Sequence, residues 1–278
     1  MRKLFILFVF LFPIMAFGQG EIGYYVSTSG NLFKTVNSGS SWSNLFTGGV
    51  EQIDFVDEST GYYVSTLGNL FFTSNSGVSW TNCYTSGVAY VDFVDENTGY
   101  YVSTLGNLFK TTDGAANWTN CYTSGVVQID FVDNSTGFYV STSNNLFKTT
   151  DSGMSWTNLF TSGVAYIDFV SDSVGYYVST PGNLFRTVDG GANWTNMSTS
   201  GVVQIDFVND SIGYYVSTMD NLFKTTDSGV NWANTYTGTV YYMDFVADSL
   251  APVGFAEQGV DEGFLVYPNP ATNIINCV

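Results

Sequence analysis

The apolar positions of this chain fall in short runs rich in Val, Ile, Thr, Tyr, Phe and Trp, each closed off by Gly, Asn, Asp or Ser. Residues 137–174 show the pattern in full: GFYVST, a turn at Ser143-Asn144, NLFKTT, a turn at Asp151-Ser152-Gly153, SWTNLFT, Ser162-Gly163, VAYIDFV and SDSV. β-Branched and aromatic side chains suit a pleated, half-buried surface, and the small polar residues between them suit tight turns, so the pattern predicts four short strands. Beyond the N-terminal segment no stretch carries an apolar stripe of helical period.

The unit recurs. GYYVST begins at Gly23, Gly61, Gly99, Gly175 and Gly213, with GFYVST at Gly137, at a constant interval of 38 residues, so six units fill residues 23–250. Four strands per unit, repeated six times, predict an all-β fold: a six-bladed β-propeller of four-stranded blades. A parallel β-solenoid fits less well, because its coils are usually shorter and leave ends to be capped. If VAYIDFV opens a blade, the chain starts at the second strand of its first blade, and the missing strand lies at the other end. VYYMDFV, residues 240–246, is expected to pair with residues 23–28, closing the ring and covering a free sheet edge.

The segment before the repeats reads as an export signal. Arg2 and Lys3 precede the apolar run at residues 4–17, and Ala16-Phe17-Gly18 offers a cleavage site after Gly18. Pro13 interrupts a run already too short to span a bilayer comfortably, so no membrane span is expected after cleavage. Residues 1–18 are thus assigned as signal peptide, and the protein is expected to be secreted or placed on the outer cell surface. Of 7 basic and 24 acidic residues, two basic ones leave with the signal. The formal charge of −17 opposes binding to nucleic acid, which rests on clustered Lys and Arg. The chain has no His, which removes Ser-His-Asp, Cys-His and His-zinc chemistry.

The turn between third and fourth strands carries a motif. Thr149 to Trp156 contains Asp151, Gly153 and Trp156, and the same spacing returns around Asp189 and Asp227. This resembles the Asp-box, or BNR repeat, of sialidases and sortilin-like propellers. The longer string FVDNSTGFYVSTSNNLFKTTDSGMSWTN is more similar to the repeats of the photosystem II stability and assembly factor family. Asn37 and Asn75 replace the Asp in the first two units, and Ala115 stands where the third wants Gly. Asn makes the same side-chain turn without the charge a hard cation favours, so Asn37, Asn75, Asp113, Asp151, Asp189 and Asp227 are read as structural turn residues. Trp42, Trp80, Trp118, Trp156, Trp194 and Trp232 are read as packing between blades.

A sialidase resemblance implies an arginine cluster, yet Arg186 is the single Arg after the signal, and Lys34, Lys110, Lys148 and Lys224 follow it around the ring. No catalytic residue, metal ligand or cofactor is assigned. The positions singled out for binding are Asp54, Asp92, Asp130, Asp168, Asp206 and Asp244, one per unit on the presumed innermost strand. A dry ring of six carboxylates would not stay fully ionised. They are expected to face a wet channel or donors on the neighbouring blade; the alternative is a bound cation. Cys83 and Cys121 are equivalent residues of adjacent units on the outermost strand, too far apart for a disulfide. Cys277 has no evident partner.

After the repeats, residues 251–263 read as a linker. In residues 264–278, YPNPATN resembles the opening of the C-terminal sorting domain of type IX secretion in Bacteroidetes, which implies that machinery as a partner and a truncated domain. The expected function is a monomeric, non-catalytic binding or adhesion module for a protein or glycan, using one rim of the ring and its Tyr-rich GYYVST edges. The alternative is a secreted carbohydrate-active enzyme of the Asp-box propeller type with a carboxylate pair.

Overall fold

The computed structural model describes residues 20–246, except residues 47, 85, 123, 124 and 161. The signal, linker and sorting-domain assignments, and Cys277, lie outside the described residues. Six antiparallel four-stranded sheets surround one axis and form a six-bladed propeller without a helix among the described residues. Blades 2 to 6 follow the chain. In blade 2 the inner strand Val50–Phe55 is followed by Gly61–Ser65, Leu70–Thr73 and the outer strand Thr81–Tyr84. The other inner strands are Val88–Phe93, Val126–Phe131, Val164–Phe169 and Val202–Phe207.

Blade 1 is closed by the two ends of the repeat array. Val240–Val246 pairs antiparallel with Ile22–Ser27, from Ile22 opposite Val246 to Ser27 opposite Val240. The partner segment therefore starts one residue earlier than the sequence suggests. Docking this strand buries Val240, Met243 and Phe245 and satisfies the backbone of the second strand, which would otherwise be an open edge.

The core lies between blades. Each blade's second strand places one aromatic ring flat on the inner-strand Phe of the next blade: Tyr24 on Phe55, Tyr62 on Phe93, Tyr100 on Phe131, Phe138 on Phe169, Tyr176 on Phe207 and Tyr214 on Phe245, all with centroids 3.5 Å apart. The Gly before that aromatic pair is required because a Cβ at Gly61 would fall within the Phe55 ring. The hydroxyls of Tyr24, Tyr62, Tyr100 and Tyr176 donate to turn carbonyls of the next blade, as Tyr100 Oη does to Asn134 at 3.3 Å, while Tyr214 Oη donates to the Glu21 carboxylate at 3.0 Å. Phe138 has no hydroxyl, and Lys148 Nζ donates to the corresponding carbonyl, Asp172, at 2.8 Å.

Tyr100→Ala should cost about 3–5 kcal/mol, since a fully buried ring and its hydrogen bond are lost. Tyr100→Phe, which copies what blade 4 already has at Phe138, should cost less than about 1.5 kcal/mol. Urea midpoints measured side by side check both; equal shifts would show that the ring stack contributes little.

Two faces result. One carries the turn that follows each inner strand together with the Asp-box turns. Among the described charged residues outside the channel, all but Glu51 and Asp220 lie on or beside this acidic face. The opposite face, nearly uncharged, is formed by the turns between second and third strands and the connections between blades. Chain entry at Gly20 and exit at Val246 are both on the acidic side, because Ile22 pairs with Val246 and Glu21 contacts the Ser38 turn.

Candidate functional site

The inner strands bring their alternate residues to the axis. Beginning from the neutral face, the first layer is Gln52, Tyr90, Gln128, Tyr166, Gln204 and Tyr242, and the second is the six expected Asp residues. The first layer has threefold symmetry inside the sixfold ring. Tyr90, Tyr166 and Tyr242 converge on the axis with hydroxyl separations of 2.8, 3.0 and 3.1 Å. The glutamines sit between them. Gln52 Nε2 donates to the Val91 carbonyl at 2.9 Å while its Oε1 accepts from the Val91 N–H at 3.0 Å. Gln128 makes the same pair with Ile167, and Gln204 with Met243. Each Gln thereby extends the neighbouring inner strand by one rung, and each buried phenol remains neutral because burial raises its pKa.

This layer escaped the sequence reading, although the signal was present. The residue two before each ring Asp alternates Gln and Tyr with a period of 76 residues, twice the repeat. Such alternation within an otherwise uniform array marks side chains that meet only across the ring.

The structure places all six ring aspartates on the channel and gives each a donor on the next blade. Asp54 accepts from Phe93 N at 2.7 Å, Asp92 from Phe131 N at 2.6 Å, Asp168 from Phe207 N at 2.7 Å, Asp206 from Phe245 N at 2.5 Å and Asp244 from Phe55 N at 2.6 Å; Asp130 accepts from Phe169 N. The carboxylates open onto a channel cavity of about 90 Å3, room for a few waters. Desolvation in this crowded channel, helped by neighbouring ring carboxylates, raises Asp54, Asp92, Asp168 and Asp206 well above the carboxylate range. Burial pushes Asp130 and Asp244 up to about 7. The ring therefore holds protons at neutral pH. Among the described residues no three acidic or thiol side chains come close enough to ligate one ion.

The Asp-box residues sit on the acidic face and close their own turns. Thr149 Oγ1 donates to Asp151 Oδ1 at 2.8 Å, which also accepts from Ser155 N at 2.8 Å, while Ser155 Oγ donates to Oδ2 at 2.6 Å. Asp113, Asp189 and Asp227 have the same contacts with Asn117, Asn193 and Asn231. At Asn37 and Asn75 the direction reverses, with Nδ2 donating to Ser41 and Ser79 at 2.8 Å. These hydrogen bonds hold the four Asp carboxyls below the usual range. The Gly of the box has positive φ, and Ala115 adopts the same left-handed conformation at φ 69°.

The basic residues are also used by the fold. Lys34, Lys110, Lys148 and Lys224 lie 5.1–5.5 Å from the ring centroids of Tyr24, Tyr100, Phe138 and Tyr214. Arg186 lies 5.8 Å from that of Tyr176. Lys224 pairs with Glu21 at 2.6 Å, which with Ser38 lowers the Glu21 carboxyl to about 2 against the opposing effect of burial. Cys83 and Cys121 are free thiols, half-buried, and desolvation raises both to about 11.

One expectation is overturned. The Tyr-rich GYYVST segments do not present an edge to a ligand: Tyr24, Tyr25, Tyr62 and Tyr63 are all buried. Their rings are the packing between blades, and the strand direction turns them into the blade interfaces.

A ring of four-stranded blades with Asp-box turns defines a propeller of the BNR type. The family profile of photosynthesis system II assembly factor YCF48 matches residues 119–201. No curated protein matches the chain. A structure of YCF48 bound to D1 peptide is similar with a TM-score of 0.50 and 18% identity, over 66% of this chain and 66% of that one. YCF48 from Cyanidioschyzon merolae gives 0.54 and 14%, over 77% and 80%. The GH74 enzyme of Niastella koreensis gives 0.57 and 16%, over 79% and 46%. The chain thus spans just under two thirds of the peptide-bound structure and under half of the GH74 enzyme. At such identities the likeness is one of fold.

Proposed function

We propose that this protein is a non-catalytic binding module, exported or displayed on the cell surface, whose neutral face engages a protein or glycan. The observation that carries this reading is the division of labour between the faces. Chain entry, chain exit and nearly all fixed charge lie on the acidic face, where Asp57, Asp95, Asp133 and the box aspartates are occupied in capping turns. Neither end of the described segment lies on the opposite face. The peptide carried by a structurally similar YCF48 is in keeping with a protein ligand.

The enzyme reading has less support. The ring carboxylates spend one oxygen each on the next blade, and their cavity of about 90 Å3 is far below the roughly 300–1,000 Å3 of small-molecule sites. Among the described residues all six blades keep short connections, so no inserted loop breaks the symmetry of the ring. A pull-down from culture medium and cell envelope with the full chain, beside a glycan array, tests the proposal. Specific retention of a partner, lost when Leu67 and Leu105 on the neutral face are changed to Glu, is expected. Turnover of a glycan by the chain would overturn it.

A further inference from the structure

The neutral face is not sixfold. Its inner ring is formed by Glu51, Ala89, Val127, Ala165, Val203 and Tyr241, the residues just before the axial Gln or Tyr of each blade. Four of these are small or aliphatic. The two that differ are neighbours across the interface between blades 1 and 2, the seam where the closing strand carries Tyr241, and Tyr241 Oη donates to Glu51 Oε1 at 3.0 Å. The turn position beside the seam is small: Ser29, matched by Ser143 in blade 4, stands where the other blades have Leu67, Leu105, Pro181 and Met219.

These substitutions shape a cavity. Between blades 1 and 2 lies an open pocket of about 440 Å3, lined by Glu51, Tyr241, Ser27, Thr28, Ser29 and Thr66 with Gly30, Gly49 and Val50. Its size falls in the range of about 300–1,000 Å3 typical of small-ligand sites. Among the described residues the fold gives Glu51 no turn to cap, unlike Asp57 or Asp151. Tyr241 is 48% exposed, unlike the buried tyrosines of the blade interfaces.

We propose that this seam pocket binds a neutral glycan. Building on the module reading, this narrows its ligand to one class and one sector of the neutral face. The walls match a polyol: a carboxylate accepts from sugar hydroxyls, Ser and Thr hydroxyls both donate and accept, and Tyr241 supplies an aromatic surface for the apolar face of a sugar ring. No cation lines the pocket, so an anionic ligand has no partner there, and the hydroxyl-rich wall disfavours a lipid. A lone carboxylate at this exposed site gives a basic peptide little attraction.

The test uses the full chain and a panel of neutral tetrasaccharides of glucose, mannose, galactose, xylose and N-acetylglucosamine, screened on an array and titrated by NMR. At least one is expected to bind, with Tyr241→Ala weakening it about fivefold or more and Glu51→Ala by a similar factor. Tyr241→Phe keeps the ring and should retain most of the affinity. Val127→Ala, at the equivalent position of another blade, should change nothing. Unchanged melting temperatures separate these effects from unfolding, since both seam side chains are exposed. Failure of every tetrasaccharide, or binding indifferent to Tyr241→Ala and Glu51→Ala, overturns the seam site. A protein partner retained equally by these variants overturns the glycan site while leaving the module reading intact. An oligolysine peptide bound in place of sugars, and lost in Glu51→Ala, also overturns it.

Discussion

Raising the pH from about 5 to 8 should lower the melting temperature by something on the order of 10 °C. Asp130 and Asp244 have native values near 7, against about 3.9 in an unfolded chain. Between those limits the native state holds protons that the unfolded state has released, so unfolding releases protons and stability falls as pH rises. The contribution of these two groups is complete below about pH 4 and gone above about 7. Asp54, Asp92, Asp168 and Asp206, raised by burial and by neighbouring ring carboxylates, add to the decline with the same sign. Tyr90, Tyr166 and Tyr242, the other titratable groups on the channel, remain neutral throughout.

Below pH 4 the opposite sign takes over. Glu21, lowered to about 2, and the lowered box aspartates lose their native advantage as they are protonated. Stability should therefore peak at about pH 4–5. Asp130→Asn keeps an acceptor for Phe169 N and removes a charge, so it should raise the melting temperature at pH 8 and leave it almost unchanged at pH 5. Calorimetric scans across pH check both; a melting temperature that is flat or rising between pH 5 and 8 would exclude a proton-bearing ring.

A chain ending at Thr239 should not fold cooperatively. It would lose the buried Val240, Met243 and Phe245 together with the Phe245–Tyr214 stack. Gln204 and Asp206 would lose their backbone partners on Met243 and Phe245, leaving buried polar groups unpaired. The second strand of blade 1 would become an open inner edge, a template for aggregation. These losses exceed the roughly 5–15 kcal/mol that holds a typical domain together. Far-UV circular dichroism on heating and gel filtration report the outcome. A sharp transition within a few degrees of the parent would mean that the remaining blades form a stable open arc.

The blade count, the four strands, their order and the closing segment were all readable from the sequence. Each of these depends on local pattern. GYYVST and VAYIDFV carry strand-forming residues, Gly and Asn mark the turns, and the missing first strand is visible as an offset between the two ends of the array. The Asp-box hydrogen bonds are local too, spanning two to four residues around Asp151.

What the ring alone decided is which side chains meet. Tyr90, Tyr166 and Tyr242 are separated by 76 residues along the chain, and only a closed circle turns alternate blades so that their hydroxyls touch. The partner of each ring Asp is a backbone N–H on the next blade, a contact set by the angle between sheets. Burial of the GYYVST tyrosines follows from the same stacking of sheet on sheet, which no single unit contains. The seam pocket is likewise a product of closure, because Glu51 and Tyr241 stand 190 positions apart until the last strand docks beside the first.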